Sequence, residues 1–182
     1  MGKPRLFLHI CCAPCATHVA RVLNEKYDLT GYFYNPNIYP EGEYLKRLDE
    51  MKRIAADFNV ELLEPPYDPL NWFSLTKGLE SDPEGGRRCE RCIYMRLEET
   101  ARRAVKEGFD IFATTLTISP HKNAALINRI GQSLSERCNI AFLAADFKKD
   151  DGFKKSVELS KEYDLYRQDY CGCLSSKNKP PL

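Results

Sequence analysis

Apolar and polar positions follow two alternating rhythms along this chain. Short continuous apolar runs recur, and stretches of helical period separate them. Leu6-Phe7-Leu8-His9-Ile10 reads as a short buried strand. Ala16 to Tyr27 reads as a helix with Val19, Val22 and Leu23 on one face. Leu29 to Tyr34 forms a second strand, stopped by Asn35-Pro36. Glu43 to Phe58 places Leu45, Leu48, Met51, Ile54 and Phe58 at helical spacing. Val60 to Leu63 is a third strand before Pro65-Pro66. The middle is less regular: Leu70 to Leu79 fits a short helix, and Ser81 to Arg88 is a loop by composition. A helix follows from Cys89 to Lys106, with Ile93, Leu97, Ala101 and Ala104 inward and Gly108 beyond its end. Strand 110–114, helix 122–138, strand 140–144 and helix 152–163 complete the pattern.

This order predicts an α/β fold, doubly wound, with helices on both faces of a parallel sheet. The expected organisation is one domain over residues 1–182, with 164–182 as a C-terminal tail. In such sheets a ligand lies beyond the carboxyl ends of the strands, at the point where strand order reverses. That rule points to Cys11–Cys15, Asn35–Asn37, Thr115–Lys122 and Ala145–Asp146.

Composition adds a location and a constraint. No apolar run approaches the roughly 18–20 residues of a membrane span. Lys3 and Arg5 precede only Leu6-Phe7-Leu8, too short for a signal-peptide core of about 7–15 residues. A cytoplasmic setting without a membrane partner is expected, where thiols stay reduced. The formal net charge is +1, so any RNA contact must come from a local patch. Arg87, Arg88 and Arg91, the Lys148–Lys155 stretch, and Lys177 with Lys179 are the available cations, although solvated surface is the usual reason for such runs.

Eight cysteines then change the picture. In a reduced compartment, clustered thiols serve metal binding or redox chemistry rather than disulfides. Seven fall in three groups: Cys11, Cys12 and Cys15; Cys89 and Cys92; Cys171 and Cys173. The first group lies in a strand-to-helix turn, where N–H groups and the helix dipole favour thiolate. Cys12-x2-Cys15 with Cys89-x2-Cys92 would also suit one zinc, but zinc ribbons space their pairs by roughly 15–20 residues. Zinc would leave three thiols idle, whereas a cluster with four cysteine ligands plus a second redox element uses them all. Cys171-Gly172-Cys173 is too close for a relaxed disulfide, so a bridge there would be strained and reducible. The bland reading is two ordinary thiols on a mobile tail. Cys138 reads as a small core residue.

The run His9-Ile-Cys-Cys-Ala-Pro-Cys15, the pair Cys89-x2-Cys92, the segment Thr115-Leu-Thr-Ile-Ser-Pro-His-Lys122 and Tyr170-Cys-Gly-Cys173 together resemble the cobalamin-independent epoxyqueuosine reductase family. The likeness extends over essentially the whole chain. It implies reduction of an epoxide on the modified wobble base of a tRNA to the alkene, with the oxygen leaving as water. It implies a [4Fe–4S] cluster held by Cys11, Cys12, Cys89 and Cys92, with Cys12 and Cys15 as an alternative pair. It implies Cys171 and Cys173 as a redox-active pair, and allows a second mononuclear metal, an iron, with Cys15 as ligand. An electron donor is required and remains unidentified. The strand–loop–helix order also resembles the tRNA-modifying pyrophosphate-loop ATPases. Here the loop reads Cys-Cys-Ala-Pro-Cys, without the glycines that admit phosphate, so no ATP binding is expected.

The remaining candidates follow from position. Asp146 is a metal ligand or acid, or else caps the next turn. Asn35, Thr115, Ser119, His121 and Lys122 lie at strand outlets, where substrate contacts fall. The bland reading of that last segment is a helix start with Ser119 as cap. Tyr34, Tyr39 and Trp72 are candidates to stack a splayed base, and His9 reads as a core histidine. Two rival functions remain open: sulfur transfer to tRNA, and a non-catalytic zinc-binding RNA module.

Overall fold

β1 (Arg5–His9) is the central strand of the computed structural model, which describes residues 2–177. Lys179 lies outside the described residues. The remaining strands are β2 (Asp28–Tyr32), β3 (Glu61–Leu63), β4 (Ile111–Thr114) and β5 (Ala141–Phe142). They form one parallel sheet in the order β3-β2-β1-β4-β5. The chain builds outward from β1 to β3, then crosses back to add β4 and β5 on the other side. Strand order therefore reverses between β1 and β4, where His9 is in register with Thr114.

The uniform apolarity of β1 has a simple cause. Its side chains alternate between two cores, so no face meets water. Leu6, Leu8 and Ile10 enter the core formed with α1 (Ala13–Asn24) and α2 (Glu41–Ala55). Phe7 enters the opposite core, with α4 (Arg87–Lys106) and α5 (Ala124–Cys138). Helix α6 (Gly152–Glu162) packs beside α1, and the short α3 (Pro69–Thr76) lies against α4. No helix among the described residues is long and apolar enough to cross a membrane.

Several elements depart from the sequence pattern, each for a local reason. Helix α1 begins three residues early, because Pro14 is well placed in a first turn. Cys12 consequently occupies the cap position, and Cys15 lies inside the helix. Helix α2 turns Tyr44 and Arg47 inward and leaves Leu45 exposed. Helix α4 starts at Arg87, because Arg88 ties the preceding loop to it by donating to the carbonyls of Leu79, Glu80 and Asp82. Residues 115–118 form a 3-10 turn, and α5 starts only after Asn123. Asn123 is its cap, accepting from Leu126 N–H at 3.0 Å, so Ser119 does not cap this helix.

The tail is pinned along α2. Leu165 sits in the first core. Tyr166 N–H donates to Glu50 at 2.9 Å, and its hydroxyl donates to Glu43. Arg47 donates to the carbonyls of Cys171 and Tyr170 at 3.2 and 3.3 Å. Tyr39 N–H donates to Gly172 O at 2.9 Å. A short helix, α7 (Leu174–Lys177), which the sequence pattern does not announce, follows.

Candidate metal centre and active site

The turn after β1 gathers Cys11, Cys12 and Cys15, with sulfurs all within 4.8 Å of one another. Cys11 Sγ lies 3.7 Å from Cys12 Sγ. Thr115, at the outlet of β4, holds the turn: it accepts from Cys11 N–H and donates to Cys11 Sγ. Three thiols so close cannot ionise together. Cys11 is held well below the usual thiol range, first by hydrogen bonds from Cys12 and Cys15, with help from the Arg96 charge. Cys12 is correspondingly pushed up to about 12, chiefly by its hydrogen bond to Cys11, and Cys15 rises for the same kind of reason. A metal bound here would have to deprotonate the two raised thiols.

Arg96 is the main electrostatic support of this turn. It is buried on α4 and donates to His9 Nε2 at 3.3 Å and Asn35 Oδ1 at 2.8 Å. Burial, aided by the Arg96 charge, pushes His9 down to about 3, so its ring is neutral.

The other two thiol groups converge on the same region. Cys89, Cys92, Cys171 and Cys173 line a small cavity together with Asn37, Trp72, Arg88, Arg96 and Lys122. A larger cavity of about 270 Å³ adjoins it, with Cys11, Cys15, Arg47, Ser119, His121, Gln168 and Cys171 among its lining residues. Arg96, Lys122 and Cys171 belong to both walls. Thiols from three distant stretches therefore border one compartment at the carboxyl ends of β1 and β4. Lys122 Nζ donates to Cys171 Sγ at 3.3 Å, and the Cys171 charge holds the ammonium above its ordinary range. Burial raises the Cys92 and Cys173 thiols. All eight cysteines are free.

The other sequence candidates divide. Ser119, His121 and Lys122 line the larger cavity. Asn35 and Thr115 are buried and line neither cavity. Asn35 braces Ile10 O and Arg96, and Thr115 braces Cys11. Asp146 also lies outside both linings, its carboxylate 3.1 Å from Lys148 Nζ. Trp72 is core, Tyr34 is half-buried, and Tyr39 is partly exposed. Sequence reasoning missed Arg47, Arg96 and Gln168. Arg96 carried a signal: Cys89, Cys92 and Arg96 share one helical face at spacings of three and four. Arg47 and Gln168 carried none.

A family model described as epoxyqueuosine reductase QueH matches residues 6–179. The chain belongs to the QueH family of epoxyqueuosine reductases. QueH of Streptococcus pyogenes serotype M1 is 44% identical over 94% of this chain and 70% of its own length. Membership makes the protein an oxidoreductase of queuosine tRNA modification, and favours neither sulfur transfer nor an RNA-binding zinc module. Two solved structures share the fold. A predicted subunit of a tRNA methyltransferase from Methanocaldococcus jannaschii aligns with a TM-score of 0.57 at 15% identity, covering 84% of this chain and 76% of that one. The U34-tRNA thiolase NcsA from Methanococcus maripaludis, solved with its [4Fe–4S] cluster, aligns with a TM-score of 0.55 at 14% identity, covering 91% and 59%. The QueH chain thus has a doubly wound parallel fold that it shares with these two structures.

Proposed function

We propose that this site reduces epoxyqueuosine to queuosine in tRNA by two-electron deoxygenation, with a [4Fe–4S] cluster as its electron source. The observation that carries this reading is the convergence of six thiols, with Cys12 directly behind them, and four buried or half-buried cations on two adjoining cavities in a QueH chain. Cys11, Cys12, Cys89 and Cys92 are the proposed cluster ligands, and Cys15 the proposed ligand of a second mononuclear iron. The donor set fits such a group. Buried N–H groups of the cavity lining, Arg88 Nε and Nη2, have no hydrogen-bond partner among the described residues. Thiolate and sulfide acceptors would satisfy them. Arg88, Arg96 and Lys122 offset the negative charge that a thiolate-ligated cluster brings.

When bound, the cluster supplies electrons one at a time. The balance is two electrons and two protons per epoxide, giving one alkene and one water. The Cys171 and Cys173 thiols match that balance as a relay or store, refilled by an external electron donor. The larger cavity has room for the substituted ring, and its rim carries His121, the one histidine in its lining, as proton donor. Lys122 has the opposite character. Its ammonium is stabilised by Cys171, so it is a poor acid and a good electrostatic partner for the departing oxygen. A tRNA substrate implies a cytoplasmic enzyme.

Anaerobic purification and reconstitution test this directly. The expected product is a brown protein with broad absorbance near about 400 nm and four or more irons per chain. Reduced enzyme should convert epoxyqueuosine tRNA, and Cys171→Ala should abolish turnover while keeping the iron. A colourless protein with stoichiometric zinc would overturn the proposal.

A further inference from the structure

Gln168 lies on the tail between two anchored stretches. Tyr166 before it is held by Glu50 and Glu43, and Tyr170 and Cys171 after it are held by Arg47. The backbone is thereby fixed on both sides, and the carboxamide is delivered to the thiol turn. Gln168 Nε2 lies 2.9 Å from Cys12 Sγ. Its Oε1 is buried and has no hydrogen-bond partner among the described residues. The oxygen matters to the argument. An amide placed only to satisfy the fold would pair its acceptor as well as its donor, because a buried unpaired carbonyl is costly. Here the donor is paired, and the partner is a sulfur of the three-cysteine turn.

We infer that Gln168 is a positioning residue that sets the reduction potential of the metal centre through an N–H···S hydrogen bond to Cys12. The inference rests on the proposed function, with Cys12 as a cluster ligand. A donor on a ligand sulfur withdraws electron density from it and stabilises the more negative, reduced cluster. The bond also ties the tail, which carries Cys171 and Cys173, to the turn that carries the ligand. One side chain therefore couples placement of the redox pair to the electronics of the centre.

The test compares reconstituted wild type with Gln168→Leu and the isosteric Gln168→Glu, by iron content, thermal melt and redox titration of the visible band. Both variants should melt as wild type and hold full iron, with the midpoint potential displaced to more negative values. The displacement should be larger for Gln168→Glu, which brings a second negative charge to the sulfur. KM for tRNA should be unchanged while kcat changes. Wild-type potentials in both variants at full iron overturn the inference. Loss of iron or of the fold in both also overturns it, because Gln168 would then assemble or support the site rather than tune it. A colourless wild-type protein sinks the proposed function itself, and the colour separates that outcome from the others.

Discussion

At the residue scale, buried polar side chains explain both what the sequence shows and what it hides. The cysteine groups and the Ser119–Lys122 segment are legible because thiols are rare and strand outlets are predictable. Arg47 is not legible, because nothing along the chain distinguishes it from a solvated arginine on α2. Its i,i+4 pairing with Glu43 is ordinary for a helix surface, and only the fold brings it against the tail carbonyls. His9 shows how such burial makes stability depend on pH. Its folded value is about 3 and its unfolded value 6.5. The unfolded chain therefore binds a proton below pH 6.5 that the native chain refuses. The stabilisation is complete above 6.5 and is lost as pH falls toward 3, at up to about 1.4 kcal/mol per pH unit from this group. Urea unfolding between pH 7 and 5 should show that slope in wild type, and a shallower one in His9→Gln. Equal slopes would mean that the native ring takes up its proton over the same pH range as in the unfolded chain.

At the element scale, periodicity located the strands and the main helices but misjudged their starts. Helix starts depend on loops that fold back, and the Arg88 contacts to three carbonyls are such a case. Arg88→Met should cost about 2–3 kcal/mol, since it leaves buried carbonyls unpaired. Local hydrogen exchange should rise at residues 79–86 more than in β1. Gly172 is the second element-scale test. Its φ is +113°, and a Cβ there would lie 3.0 Å from Arg47 Nη1 and Ile38 Cγ1. Gly172→Ala should cost about 1–3 kcal/mol, concentrated in the tail. Cys173, buried in the native state, should then alkylate faster while the sheet melts almost as before. The pattern Cys-x-Cys is readable from sequence; that the middle residue must be glycine is readable only from the backbone.

At the scale of the whole molecule, a net charge of +1 must be reconciled with a polyanionic substrate. The sheet resolves this by position. Phe153 and Ser156 of α6 line the larger cavity, and the same helix carries the exposed Lys154 and Lys155. A rim of few cations predicts moderate salt dependence. If about three phosphate contacts form in a single-stranded anticodon loop, log affinity should fall with log salt at a slope near −2. Lys154→Glu with Lys155→Glu should then raise KM for tRNA severalfold at low salt, reduce the slope by more than one, and leave kcat and iron content unchanged. Steady-state kinetics at 50 and 200 mM salt, roughly the span over which such contacts weaken strongly, decide the matter. An unaltered KM would place the tRNA on another face of the sheet, and the α4 arginines Arg87 and Arg91 would be the next pair to reverse.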